Sequence, residues 1–281
     1  MRIALAQTNI IWEDKQANLV RAEVFLASAD AEVVLFPEMS LTGFSMHTDV
    51  TAEICQSDDP MRFCEQIYGT PAIAELSTTG WTPAQIAALA KRYHKTIGIG
   101  WVKKTEPRCE NHYSIVMPDG RIAMDYAKIH PFSYGEEHAH FHGGTTLCTG
   151  TLGEFQAGIG ICYDLRFPEQ FRAMVPEAEI FIIPANWPEV RASHWKTLLA
   201  ARAIENQCYV AGVNCCGDMD AQHYSGDSGV YAPDGSLLVP TKEIRLADAL
   251  CKEEKLLVYD IQNDVAGIRK AFPVLQDRKE S

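Results

Sequence analysis

The sequence predicts an α/β fold built from alternating strands and helices. The first observation is a strand, helix, strand, helix, strand rhythm in the N-terminal third of the chain. The second is a pair of Pro-Asp-Gly hairpin signals at 118–120 and 233–235, which suggest two similar halves. The third is the stretch GIGICYDLRFPEQ at Gly158–Gln170, typical of a buried strand that bends into a helix. Together they indicate a layered α/β protein.

The N-terminal elements follow from hydrophobic periodicity and from helix-start signals. A short, continuous apolar run is typical of a buried strand, whereas apolar residues three and four apart indicate an amphipathic helix. The sequence TPAQ at 82–85 has the form of a capping box with proline at the first helical position. The predicted elements are a strand over Arg2–Thr8, a helix over Asn18–Ala27, a strand over Val33–Phe36, a helix from Thr82 to about His94, and a strand over Ile97–Val102.

The C-terminal two thirds of the chain repeat these element types. No linker, low-complexity run or shift of composition separates the halves, so the sequence predicts one domain over residues 1–281. The predicted elements are a hairpin of Ser114–Val116 with Arg121–Tyr126, a strand over Ile180–Pro184, a helix from Ser193 to about Asn206, a strand over Cys208–Val213, and a hairpin of Gly229–Tyr231 with Leu237–Val239.

Composition limits the classes of function. A formal charge of −12 and a pI near 5.2 argue against nucleic-acid or anionic-membrane binding, which needs clustered basic residues. The first residues, MRIALAQ, read as a strand rather than a signal peptide, and no apolar run is as long as a membrane span. The nine cysteines have no paired spacing, so we expect reduced thiols and a cytoplasmic protein.

Cys162 lies at the predicted bend between a strand end and a helix N-terminus. Unpaired N–H groups and the helix dipole favour a thiolate at such a position, which is what a catalytic cysteine needs. An inert core thiol between two isoleucines is the commoner situation for a single cysteine. The rest of the chain must therefore decide between the two interpretations.

Four polar side chains directly follow apolar stretches and could act together. They are Glu38, Lys128, Glu137 and Cys162. Each charged residue alone is more often a surface group or part of a solvated loop. Together they provide a nucleophile, a carboxylate base and a cation that can stabilise a thiolate or an oxyanion.

A histidine cluster favours a competing hypothesis. His138, His140 and His142 alternate, so in an extended segment all three would lie on one side, next to Glu136 and Glu137. Such a set could hold a metal ion, although a loop of this type without a distant fourth ligand is a weak signal. A metal-dependent hydrolase therefore remains an alternative, and it would lose its activity on chelation.

Three sequence blocks resemble the signature blocks of the nitrilase, or carbon–nitrogen hydrolase, superfamily. They are LFPEMSLTGF, YAKIHPF and GICYDLRFPE, which carry Glu, Lys and Cys in the family's order. The similarity extends from IALAQT through PANWP and ARAIENQCYVAGVN to RKAFPVLQDRK, which is essentially the whole chain. The resemblance implies a four-layer αββα sandwich, a homodimer, and no metal or organic cofactor.

The resemblance also implies catalytic roles. Cys162 matches the family's nucleophile, Glu38 its general base, and Lys128 the cation beside the tetrahedral intermediate. The backbone N–H of Tyr163 would complete the oxyanion site. Glu137 matches the second glutamate, and the adjacent Glu136 is the alternative for that position.

The block CYDLRFPE resembles the amidase branches of the superfamily, and the flanking segments resemble ω-amidase-like members most. That branch hydrolyses the terminal amide of 2-oxo acids such as 2-oxoglutaramate. The distal carboxylate of such a substrate needs a cation, for which Arg166 and Arg191 are the candidates. Asn186 and Trp187 follow a strand end and are expected to wall the pocket. Arg166 could instead form a structural ion pair with Asp164 or Glu169.

One segment departs from the family pattern, and some functions stay open. Between Thr48 and Thr82 the chain is longer than the pattern expects, in a loop that could shape the substrate site or simply lie on the surface. Deaminated glutathione or another short amide is an alternative substrate. From a different class, the chain could be a non-catalytic binding protein of the same fold.

Overall fold

The computed structural model describes residues 1–54, 82–175 and 177–279. Two sheets and a two-stranded ribbon contain all the strands of these ranges. In chain order the strands are β1 (Arg2–Gln7), β2 (Val33–Leu35), β3 (Thr96–Lys103), β4 (Glu110–Val116), β5 (Ile122–Ala127), β6 (Thr149–Leu152), β7 (Phe155–Ile159), β8 (Ile180–Ala185), β9 (Tyr209–Asn214), β10 (Cys216–Met219), β11 (Gln222–Ser225), β12 (Gly229–Tyr231), β13 (Lys242–Ile244) and β14 (Lys255–Asp260).

Three longer helices and several short ones accompany the sheets. The α-helices are α1 (Lys15–Ser28), α2 (Thr48–Thr51), α3 (Thr82–Tyr93), α4 (Glu137–His140), α5 (Pro168–Met174), α6 (Ala192–Asn206) and α7 (Val265–Ala271). Single turns of 3₁₀-helix span Ser133–Gly135, Cys162–Arg166, Glu189–Arg191 and Val274–Asp277. Among these described helices none is long and apolar enough to cross a membrane.

The two sheets have related topologies, as the repeated hairpin signals predict. The first has the order β13-β14-β1-β2-β3-β4-β5, and the second has the order β12-β9-β8-β7-β6. In the first sheet β1, β2 and β3 are parallel, and in the second β7, β8 and β9 are parallel. Antiparallel strands flank both parallel sets. Each half therefore has strands whose carboxyl ends meet at one edge.

The sheets stack face to face, and helices cover their outer faces. A central apolar cluster contains Leu5 and Tyr113 from the first sheet together with Ile182 from the second. On the outer face of the first sheet, Phe25 of α1 and Ile86 of α3 belong to a separate cluster. On the second sheet, Leu199 and Trp195 of α6 lie directly against Gly212 of β9. The predicted αββα sandwich is confirmed.

Some local predictions differ from the structure. The second hairpin pairs through a Tyr231–Leu237 bridge only, so Leu237–Val239 is not a regular strand. Cys162 begins a 3₁₀ turn of five residues, and the predicted α-helix starts only after this turn, at Pro168. Most of the predicted longer segment between Thr48 and Thr82, residues 55–81, lies outside the described residues.

Candidate active site

Four of the sequence-predicted side chains lie just beyond strand ends. Lys128 and Asn186 come immediately after β5 and β8, and Glu38 and Cys162 follow β2 and β7 by three residues. Carboxyl ends of parallel strands are where ligand sites collect in α/β proteins, because polar loops converge there. The topology therefore brings residues far apart in sequence to one place.

Close backbone packing fixes the Glu38 segment. A Cβ atom at Gly100 of β3 would lie 2.3 Å from the Met39 backbone nitrogen and 2.8 Å from the Glu38 carbonyl carbon. Only glycine allows this approach. The hydroxyl of Ser40 donates to the Pro37 carbonyl and accepts from the Gly100 N–H at 3.1 Å. These contacts hold Glu38 on the edge of β3.

Lys128 lies between two buried glutamates. Its Nζ is 2.8 Å from Glu38 Oε1, 2.8 Å from Glu137 Oε2 and 3.1 Å from Glu137 Oε1. Glu38 and Glu137 are 0% exposed and Lys128 is 2% exposed. Burial alone would lower the pKa of Lys128, but Glu137 and Glu38 together raise it, so the side chain is an ammonium ion. Burial and the neighbouring Glu38 raise the pKa of Glu137, against the effect of Lys128.

Of the two adjacent glutamates, the buried one is Glu137. Its Oε2 also accepts the N–H of Phe132 at 2.6 Å, whereas Glu136 is exposed and has a left-handed φ of 59°. The structure therefore brings Glu137, and not Glu136, into contact with Lys128.

Two asparagines complete the environment of Glu38. Asn111 of β4 donates its amide to Glu38 Oε1 at 2.8 Å and to Glu137 Oε1 at 3.1 Å. The backbone N–H of Asn186 donates to Glu38 Oε2 at 2.9 Å, and the Asn186 amide donates to the Glu38 carbonyl at 2.7 Å. Sequence reasoning missed Asn111 and placed Asn186 only on the pocket wall.

The Cys162 thiol lies in the same cluster, in a strained backbone conformation. Its φ of 45° is in the left-handed region, which a non-glycine residue adopts at a cost and which occurs often at functional sites. Its Sγ lies 4.0 Å from the Asn186 carbonyl oxygen. Burial and the charge of Glu38 raise the pKa of Cys162, and Lys128 lowers it by less. The prediction of a helix-stabilised thiolate is wrong, because the 3₁₀ turn is short and desolvation dominates.

Asp164 connects the Cys162 turn to the loop after Lys128. Its Oδ1 accepts the backbone N–H of His130 at 3.0 Å and contacts the His130 ring nitrogen at 2.8 Å. Its Oδ2 accepts the Tyr126 hydroxyl at 2.8 Å and the Ile161 N–H at 2.9 Å. Asp164 is 0% exposed. One carboxylate thus holds the two segments together.

A pocket of about 620 Å³ opens over Cys162, a size typical of small-molecule sites. Asn186 and Trp187 line it as the sequence predicts, and Tyr163, which the sequence names only for its backbone N–H, lines it as well. The lining residues that the sequence did not predict are Trp12, Phe44, Met46, His47, Phe132, Tyr134, Gly135, Pro188, Val190, Asp220, Gln222 and Tyr224. Several belong to loops or to the β10–β11 ribbon and carry no motif. Seven of the eighteen lining residues are Phe, Trp or Tyr, so aromatic rings form much of the pocket wall.

Two guanidinium groups face this pocket. Arg166 lies over the Trp187 ring at 4.8 Å, with His194 Nδ1 at 3.3 Å from one of its nitrogens. Arg191 lies over the Phe132 ring at 5.6 Å. Within the described ranges neither pairs with a carboxylate, so the alternative ion pair of Arg166 with Asp164 or Glu169 does not form.

The histidine segment is not extended as predicted. Glu137–His140 forms one helical turn, since Glu137 folds inward against Lys128 and the buried Phe141 anchors the end of the turn. His138 is exposed, and His142 lies beside Thr105 at 3.1 Å. In the part of the chain that the structure describes, no three His, Cys, Asp or Glu side chains are arranged to hold a metal ion.

Comparison with known proteins identifies the family of the chain. The sequence model of the carbon-nitrogen hydrolase family matches residues 2–270. The chain is 32% identical to omega-amidase YafV of Yersinia enterocolitica, over 99% of this chain and 96% of the relative. It is 30% identical to the 2-oxoglutaramate amidase of Bacillus subtilis, over 98% and 96%.

A solved structure shows the same fold at similar sequence distance. XC1258 from Xanthomonas campestris, a CN-hydrolase superfamily protein with an arsenic adduct in its active site, superposes with a TM-score of 0.80 and 29% identity. The match covers 100% of this chain and 98% of the other. The chain belongs to the carbon–nitrogen hydrolase family.

Proposed function

We propose that the protein is a cysteine amidase that hydrolyses the terminal amide of a small carboxylate-bearing substrate such as 2-oxoglutaramate and releases ammonia. The observation that carries the proposal is the joint burial of Glu38, Lys128, Glu137 and Cys162 beneath one pocket. Two arginines line this pocket, and neither pairs with a carboxylate of the described residues. The relatives named omega-amidase and 2-oxoglutaramate amidase support it over nearly the full length of the chain.

The first step forms a thioester. Because Cys162 rests as a neutral thiol, Glu38 removes its proton as the sulfur attacks the amide carbon. An S–C bond forms and the carbonyl oxygen becomes an oxyanion. When the C–N bond then breaks, the proton held by Glu38 passes to the leaving nitrogen, and ammonia departs.

In the second step water takes the place of the thiol as the nucleophile. Water attacks the thioester carbon and gives a proton to Glu38, the C–S bond breaks, and the departing sulfur recovers that proton. Glu38 thus serves as base and acid in both halves. Its fixed hydrogen bonds to Lys128, Asn111 and Asn186 keep one carboxylate geometry throughout.

The oxyanion is stabilised by Lys128 and by the backbone N–H of Tyr163. Tyr163 is the second residue of a 3₁₀ turn, and the first N–H groups of such a turn have no acceptor within it. A fixed ammonium and a fixed N–H are worth most in a buried site, where water does not screen them. Glu137 holds the ammonium in position.

Arg166 and Arg191 recognise the substrate carboxylate. Both lie on aromatic rings, which orient a guanidinium while leaving its N–H groups to a ligand. A planar fork fits a carboxylate with two parallel hydrogen bonds. Deaminated glutathione or another short carboxylated amide would use the same groups.

Assembly and location are further parts of the proposal. The family resemblance supports a homodimer. It also supports a small-molecule amide as the binding partner. All seven cysteines in the described residues are free thiols, which supports a reducing, cytoplasmic setting. A single domain over residues 1–281 is proposed from the core shared by both sheets.

The test is ammonia release from 2-oxoglutaramate, 2-oxosuccinamate, deaminated glutathione, glutamine and a simple nitrile. Wild type is compared with Cys162→Ala and with Cys148→Ala, a matched change at a half-buried thiol that does not line the pocket. We expect release from the 2-oxo amides, abolished by Cys162→Ala and retained by Cys148→Ala. Release that survives Cys162→Ala would contradict the mechanism. Intact binding of these amides with no turnover would favour the non-catalytic binding protein.

A further inference from the structure

Asn111 contacts all three charged residues of the cluster. Its amide nitrogen lies 2.8 Å from Glu38 Oε1 and 3.1 Å from Glu137 Oε1, and its backbone carbonyl accepts the Lys128 N–H at 2.8 Å. The side chain is 2% exposed and does not line the pocket. Asn111 therefore touches the catalytic groups from behind, out of reach of the substrate.

The charges of the cluster explain why an amide is placed there. Two buried carboxylates share the single positive charge of Lys128, and each has an Oε1 atom directed at the same point. Like charges this close, away from water, favour the uptake of a proton by one of them. The two N–H groups of an amide reduce that tendency without adding another charge.

The orientation of the amide supports this interpretation. The Oδ1 atom of Asn111 is buried and has no hydrogen-bond partner among the described residues. Rotating the amide by half a turn would direct that oxygen at two carboxylates, which is repulsive. In the observed orientation the amide donates hydrogen bonds to both glutamates, and Oδ1 is left without a partner among the described residues.

We propose that Asn111 is a positioning residue that bridges Glu38 and Glu137 and keeps Glu38 as the carboxylate that removes the Cys162 proton. The inference rests on the proposed amidase function. Without the bridge, the glutamate pair would take up a proton at a higher pH than it does in the wild type. Glu38 would then stop acting as a base at that higher pH. The titratable groups that act on the pair from the surrounding elements are Lys128 after β5, Cys162 in the 3₁₀ turn, Cys215 between β9 and β10, and Tyr224 of β11.

The test is the pH dependence of kcat and KM for 2-oxoglutaramate in Asn111→Ala. We expect the acid limb of the kcat profile to move up by about one pH unit, the tenfold change in proton affinity that a lost charge-assisted hydrogen bond of ordinary strength produces. KM should change little. The control is Asn206→Ala, which removes another fully buried amide, one that donates to the Arg202 carbonyl and has an unpartnered Oδ1. Asn206→Ala should leave the profile unmoved.

A conservative variant and a second readout keep the inference testable if Asn111→Ala folds poorly. Asn111→Ser retains one donor and should give an intermediate displacement of the limb. The rate of Cys162 alkylation by iodoacetamide, followed by peptide mass spectrometry, reports the same base without any turnover. Its pH profile should move in the same direction.

The outcomes separate the two claims. Equal loss of rate at every pH in both Asn111 variants, or no loss at all, would overturn the positioning role. Wild-type protein that releases no ammonia from any amide would instead refute the proposed function. In that case the alkylation profiles of wild type and the Asn111 variants would still decide the inference.

Discussion

Replacing Lys128 by methionine removes a charge from the interior while keeping most of the side-chain volume. The change leaves Glu38 and Glu137, both 0% exposed, without the ammonium that lies 2.8 Å from each. Removing one partner of a buried pair costs about 3–5 kcal/mol, because the remaining charge stays unsolvated. We expect a loss of that size in the free energy of unfolding at pH 7.5. We also expect kcat to fall by about 10²–10³, because the oxyanion loses its contact with Lys128.

The pH dependence of that loss tests its electrostatic origin. Without Lys128 the folded protein binds a proton on the glutamate pair more tightly than the unfolded chain does. The stability of the variant therefore rises as pH falls towards the unfolded glutamate pKa of about 4.3. Urea unfolding should show a smaller deficit at pH 5 than at pH 7.5. Lys196→Met, which breaks an exposed ion pair with Asp227, should cost at most about 1 kcal/mol. A deficit for Lys128→Met that is equal at both pH values would refute the reasoning.

Arg166→Ala should raise KM for 2-oxoglutaramate about 10- to 100-fold in steady-state assays, because it removes one charge-assisted hydrogen bond to the substrate carboxylate. KM for uncharged amides should not change. An equal rise of KM for both kinds of amide would mean that the substrate carboxylate binds elsewhere. The buried His112 has a second testable property. Burial alone would lower its pKa, but Asp125 and Glu110 raise it to about 9. Protonated His112 contributes about 3 kcal/mol to the free energy of unfolding. This contribution is fully present below the unfolded pKa of about 6.5 and is lost as pH rises through 9. In urea unfolding from pH 6 to 10, the free energy of unfolding of His112→Gln should not show this decrease with pH. A pH dependence equal to that of the wild type would contradict the prediction.

The proposed catalytic residues could be predicted from the sequence because they belong to local blocks. Glu38, Lys128 and Cys162 each follow an apolar strand, and strand ends are readable from hydrophobic runs. The strand and helix order was predictable for the same reason. The four-layer packing needed the family resemblance, because periodicity does not reveal which sheet faces which.

The contacts that hold Glu38 could not be predicted. Asn111 lies 73 residues from Glu38 in sequence, and Asn186 lies 148 residues from it. Asn111 stands in no charged or glycine-rich motif, and the sequence places Asn186 on the pocket wall without its contact to Glu38. Their importance arises only when two sheets bring three strand ends together.

The protonation state of Cys162 and the histidine segment also depended on three-dimensional packing. A helix-start pattern predicts a thiolate, but the burial of Cys162 and the nearby Glu38 carboxylate raise its pKa instead. Alternation of histidines predicts an extended segment, yet Glu137 turns inward to reach Lys128 and forms a helical turn. Local patterns do not include desolvation or distant partners.

The most direct test of the account is detection of the covalent intermediate. Wild-type protein is mixed with 2-oxoglutaramate, quenched in acid within the first turnover, digested and analysed by peptide mass spectrometry. The account predicts the 2-oxoglutaryl group as a thioester on the peptide that contains Cys162, and on no other cysteine peptide. Rapid ammonia release with an unmodified Cys162, or an acyl group on another residue, would contradict it.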